Sequence, residues 1–83
     1  LVNVPVLDMS KAVALNNAFL NCPVLSNQSL NNILAMCANA TAYITQGTNM
    51  TLAYLGLTEE QATTCTTLSN YSAFTAAGWT TGY

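Results

Sequence analysis

Charge is what this chain most lacks. Lys11, Asp8, Glu59 and Glu60 are its only charged side chains, and its 83 residues include no arginine and no histidine. An ordinary soluble domain has about a quarter of its residues charged; here the share is 5%. A single cation cannot neutralise a phosphate backbone, so nucleic acid is excluded as a partner. No basic patch exists to hold an anionic membrane surface. Without histidine there is no ready general base near neutral pH, and two of the three acids, Glu59 and Glu60, suit the start of a helix. The chain therefore reads as a non-enzyme with no cofactor.

Long apolar runs are missing too. Residues 12–58 carry no charge, but Asn16, Asn17, Asn21, Gln28, Asn31, Asn32 and Asn39 interrupt any stretch of the ~20 residues a membrane span requires. No membrane span is expected. No cationic stretch precedes an apolar run at the start, and the first residue is Leu1. This reads as a mature, secreted, extracellular chain from which a leader has been removed.

What is present is neutral polarity. Thr, Asn, Ser and Gln fill 30 of the 83 positions, while 52% of the residues are apolar and the net charge is −2. So little charge gives weak colloidal repulsion. Two remedies suggest themselves: a coat of glycans, or burial of the surface in an assembly.

The patterning predicts one all-α domain over residues 1–83: an extended arm at 1–7, a small helical bundle at 8–77 and a tail at 78–83. The bundle has three main helices and a short helical turn. In the arm, Val2, Val4 and Val6 share one face, and Pro5 restricts it to an edge. The first helix runs from about 9 to 21, capped by Asp8 and stopped before Pro23. The second starts at Ser26 or Asn27, follows the stripe Leu30, Ile33, Leu34, Cys37, Thr41 and Ile44, and ends at Gly47, where a left-handed residue belongs. Asn49 to Leu55 reads as one or two helical turns closed by Gly56. Thr58 and Gln61 then form a capping box, with Glu59 and Glu60 in the first turn and Leu57 and Ala62 as a hydrophobic staple. The last helix is expected over about 59–77, although Thr63, Thr64, Thr66 and Thr67 lower its propensity.

Cys22, Cys37 and Cys65 are spaced by 15 and 28 positions, which fits no zinc pattern in a chain without histidine. Three buried apolar cysteines are one reading. Depth in an antiparallel bundle favours a bridge. Cys37 lies about 13 Å from the end of its helix and Cys65 about 10 Å from the start of the last one, at ~1.5 Å per residue. One disulfide, Cys37–Cys65, is expected, with Cys22 free or joining two chains.

Four Asn-X-Ser/Thr sequons begin at Asn27, Asn39, Asn49 and Asn70. Composition alone predicts about two, so N-linked glycans are expected at these positions. Trp79 and Tyr83 stand in a Gly/Thr tail. They either fold back onto the domain or anchor an interface, and the interface set is taken as Val2, Val4, Val6, Trp79 and Tyr83.

Uncharged surface, an odd cysteine, sequons and apolar ends point to a secreted structural protein that self-assembles, a glycosylated subunit of an extracellular fibre or coat. Its partners would be copies of itself in a homo-oligomer or homopolymer, together with N-linked glycans. In its arginine-free, Thr/Ala/Asn/Ser-rich composition, with cysteines on a helical bundle, the chain also resembles elicitins. Those have six cysteines in three bridges against three cysteines here, and the likeness is one of composition. It implies the alternative role, a small secreted carrier of a lipid or sterol.

Overall fold

The computed structural model describes residues 9–11, 18–20 and 25–83. The arm at 1–7, Asp8, the middle of the expected first helix and Cys22 lie outside the described residues. All regular elements among those described are helices: α1 Asn27–Ala38, α2 Thr41–Gln46, α3 Glu59–Cys65 and α4 Tyr71–Ala76. The all-α expectation stands.

α1 begins where the sequence places it. The Ser26 side chain accepts a hydrogen bond from the Ser29 amide at 3.1 Å, satisfying one of the amides a helix start leaves unpaired. Leu30, Ile33, Leu34 and Cys37 are buried as a single stripe. The expected long second helix, however, is broken at Asn39 and Ala40. Ala40 has φ −80° and ψ 67°, outside the helical region. The break rotates the chain beyond it, so that Ala40 and Tyr43 are buried and Thr41 is exposed. Its physical reason lies far away in sequence. The Ser10 carbonyl accepts from the Ala42 amide at 3.0 Å and from the Thr41 hydroxyl at 3.1 Å, serving as the cap that α2 lacks locally. Gly47 ends α2 with φ 72°, as expected.

The segment expected as a short helix at 49–55 is a series of turns. It buries Leu52 and Leu55 fully, and the Leu55 carbonyl accepts from the Phe19 amide at 2.8 Å. Gly56 has φ 95°, and a Cβ there would lie 2.8 Å from the backbone N and Cα of Leu20. Glycine is required for both reasons.

The capping box forms in full. Thr58 Oγ1 accepts from the Gln61 amide at 3.1 Å, and Gln61 Oε1 accepts from the Thr58 amide at 3.0 Å. Leu57 and Ala62 are both buried beside it. The expected single last helix is nevertheless divided into α3 and α4 by the turn at 66–70. Thr63 and Thr64 donate their hydroxyls to the carbonyls of Glu59 and Glu60, four positions back. Thr66 and Thr67 donate to Thr63 and Thr64, three back, at 2.7 Å. Threonine hydroxyls thus compete with the helical ladder, which tightens and stops.

α1 packs against both α3 and α4. The core between them and the turns includes Phe19, Ile33, Leu34, Leu52, Phe74 and Trp79. The tail at 78–83 is not free. The Thr80 amide donates to Met50 O, and the amides of Leu52 and Ala53 donate to the carbonyls of Thr80 and Thr81, so the tail lies parallel to residues 50–53.

Candidate functional site

Four groups of residues are candidates: the sequon asparagines, the cysteines, the aromatic tail and a cleft. Asn27, Asn39 and Asn49 are exposed. Asn27 opens α1. Asn39 sits at the break after α1, and its Nδ2 donates to Ala35 O in the same helix at 3.1 Å. Asn49 takes a left-handed backbone, φ 57°, which asparagine tolerates better than most residues. Asn70 is half-buried and its side chain is held against α1.

The expected Cys37–Cys65 disulfide is not present. Both residues are buried free cysteines, and no cysteine pair among the described residues stands at disulfide distance. Facing cysteines at equal depth require two unbroken helices, whereas both helices end near these cysteines: α1 at Ala38 and α3 at Cys65. Burial pushes the Cys37 thiol up to about 12, and the neighbouring Cys65 adds to the shift. Burial alone pushes Cys65 up to about 11. Near neutral pH both are neutral thiols, poor nucleophiles and poor ligands. Cys22 lies outside the described residues.

Of the two readings open for Trp79, its placement favours the folded-back tail over the interface anchor. The residue is 1% exposed. Its ring stacks between Tyr43, at 5.5 Å between centroids, and Phe74, at 5.8 Å. Its Nε1 donates to Cys37 O at 3.0 Å. The tail folds back because the two helix breaks leave a slot at the end of α1 that an indole fills. Tyr83, by contrast, is 60% exposed, with its hydroxyl donating to Leu57 O at 2.6 Å. Val2, Val4 and Val6 lie outside the described residues.

A cleft of about 310 Å³ opens beside the start of α1, running from Leu25, Asn27 and Leu30 to Thr58, Glu60 and Thr64 of the α3 start. Its lining mixes apolar and polar groups. Glu59 and Glu60 are exposed in the first turn of α3, where they suit the positive helix end. Among the described residues, no helix is long and apolar enough to cross a membrane.

The contacts made by Asn31, Asn70 and Tyr83 were not anticipated from sequence. Pairing at separations of 26 to 39 positions leaves no local signature. Compared with known proteins, the chain matches no family model, no curated protein and no solved structure.

Proposed function

We propose that the chain is a secreted, N-glycosylated structural subunit that associates with copies of itself in an extracellular fibre or coat. The observation that carries this reading is the exposure of the sequon asparagines Asn27, Asn39 and Asn49 on a surface almost without charge. Glycans on them would supply the hydration that ionised side chains supply elsewhere. Self-association draws support from Tyr83 and Leu20, exposed at 60% and 52%. The arm with Val2, Val4 and Val6 keeps its proposed docking role. The carrier alternative draws less support: Tyr43, Trp79 and Phe74 stack in a packed core among the helices.

The test is to express the full chain in a eukaryotic secretory host and measure its mass and sedimentation. Glycosylated particles that grow with concentration, visible as polymers by negative stain, are expected. A glycosylated chain that stays monomeric at high concentration would overturn the assembly reading. Lipid recovered in stoichiometric amount would put the carrier in its place.

A further inference from the structure

Asn70 differs from the other sequon asparagines in what its side chain holds. Its Nδ2 donates to the backbone oxygen of Asn31 at 3.1 Å. Its backbone amide donates to Asn31 Oδ1 at 2.9 Å. Asn31 Nδ2 in turn donates to Ser69 Oγ at 3.1 Å. The two asparagines thus clasp each other side chain to backbone in both directions. The clasp ties the middle of α1 to the turn that leads into α4, and both residues are half-buried. Asn27, Asn39 and Asn49 are exposed, and the side chain of Asn39 bonds within its own helix.

In N-glycosylation, Nδ2 loses one hydrogen as a proton and bonds the anomeric carbon of a lipid-diphosphate-linked oligosaccharide, and the lipid diphosphate leaves. At Asn70 the new substituent would sit on the nitrogen that grips α1, in a half-buried seam. We infer that Asn70 is a structural lock whose sequon stays bare in the folded protein, and that Asn27, Asn39 and Asn49 are the glycan acceptors. The acceptor half rests on the secretory reading proposed for the chain; the lock half does not.

Two experiments separate the halves. In full chain secreted from a eukaryotic host, glycopeptide mapping should find sugar on Asn27, Asn39 or Asn49 and none on Asn70. Ser72→Ala, which deletes the fourth sequon at an exposed position, should leave the glycan mass unchanged. Occupied Asn70 in soluble folded protein, or a mass one glycan lower in S72A, overturns the inference. Protein bare at every sequon overturns the acceptor half together with the secretory reading. The lock is then judged on unglycosylated full chain from bacteria. Asn70→Asp swaps the gripping donor for an acceptor facing Asn31 O, and Asn27→Asp makes the same change at an exposed site. N70D should lose about 4–8 °C in Tm, as the loss of one half-buried hydrogen bond worth about 1 kcal/mol does in a domain of this size. N27D and S72A should melt with the parent. Failure of N70D alone to fold counts for the lock, and equal Tm values for N70D and N27D count against it.

Discussion

Trp79 donates its indole N–H to the carbonyl oxygen of Cys37 across 3.0 Å, with its ring held between Tyr43 and Phe74. Cys37 is in the last turn of α1, where carbonyls run out of helical partners. The C-terminal tail thus supplies a second donor to a carbonyl that already accepts from the Ala40 amide at 3.2 Å. Replacing Trp79 by Ala should remove about 3–5 kcal/mol, the usual range for truncating a buried large aromatic. A small domain holds only about 5–15 kcal/mol in all. Denaturant unfolding of W79A should show a chain near the edge of folding. Trp79→Phe, which keeps most of the stack and loses the N–H, should cost less. If W79A melted with the parent, the tail would be an appendage and not part of the core.

The cysteines set an alkaline limit. Cys37 and Cys65 have an ordinary value of 9.0 and are raised to about 12 and about 11 by burial. A thiol whose folded pKa is raised stays protonated in the fold while the unfolded chain ionises. Its contribution is therefore whole below pH 9 and is lost as pH rises toward 11 to 12. The urea midpoint should fall steadily above about pH 9 in the parent. In Cys37→Ala/Cys65→Ala the fall should be shallower, from a lower starting stability. At neutral pH both thiols should resist maleimide until the chain unfolds.

Gly56 carries two constraints at once: φ 95° and a Cβ position 2.8 Å from the Leu20 backbone. Gly56→Ala should cost roughly 1–3 kcal/mol from backbone strain alone, and more from the clash. The clash falls on the contact between 18–20 and the 52–57 turns. Hydrogen exchange at the Phe19 amide, which donates to Leu55 O at 2.8 Å, should therefore speed up more than exchange in α1. A uniform change across both sites would mean that Gly56 acts on global stability only.

What could be read from the sequence is what four or five neighbouring residues decide among themselves. The Thr58–Gln61 capping box, the Ser26 cap and the left-handed Gly47 belong to this group, as does the stripe Leu30, Ile33, Leu34 and Cys37. What could not be read depends on residues far apart. The break at Asn39 and Ala40 is held by Ser10, and the end of α4 is followed by a tryptophan whose partner lies 42 positions earlier. The threonines of 63–67 were a local warning of the second break. Their effect depended on whether packing would override them, and here Asn31 and Asn70 secure the turn instead. The site divides in the same way: exposure of three sequon asparagines agreed with their places at helix ends and on polar faces, while the choice between a folded-back and an interfacial Trp79 depended on partners 36 and 42 positions away.

Tyr83 now carries the described part of the assembly proposal, beside the arm. Its hydroxyl binds Leu57 O, while 60% of the residue remains exposed. Leu20 is 52% exposed, its backbone against Gly56 of the same turn. The two large exposed apolar side chains among the described residues therefore border one turn, at 56–57. A second copy could bury both. Burial of one such side chain is worth about 1.5–3 kcal/mol, which corresponds to about 10- to 100-fold in an association constant. Tyr83→Ala should weaken self-association by that factor in sedimentation equilibrium, while lowering Tm by the few degrees that one half-buried hydrogen bond is worth. Deleting residues 1–7 tests the arm in the same assay, and the double variant shows whether arm and tyrosine meet in one contact: shared loss means one interface, multiplied losses mean two. Unchanged association in Y83A would leave the arm as the sole proposed linker. Unchanged association in both would remove the interface and, with it, the reason to read this surface as built for its own copies.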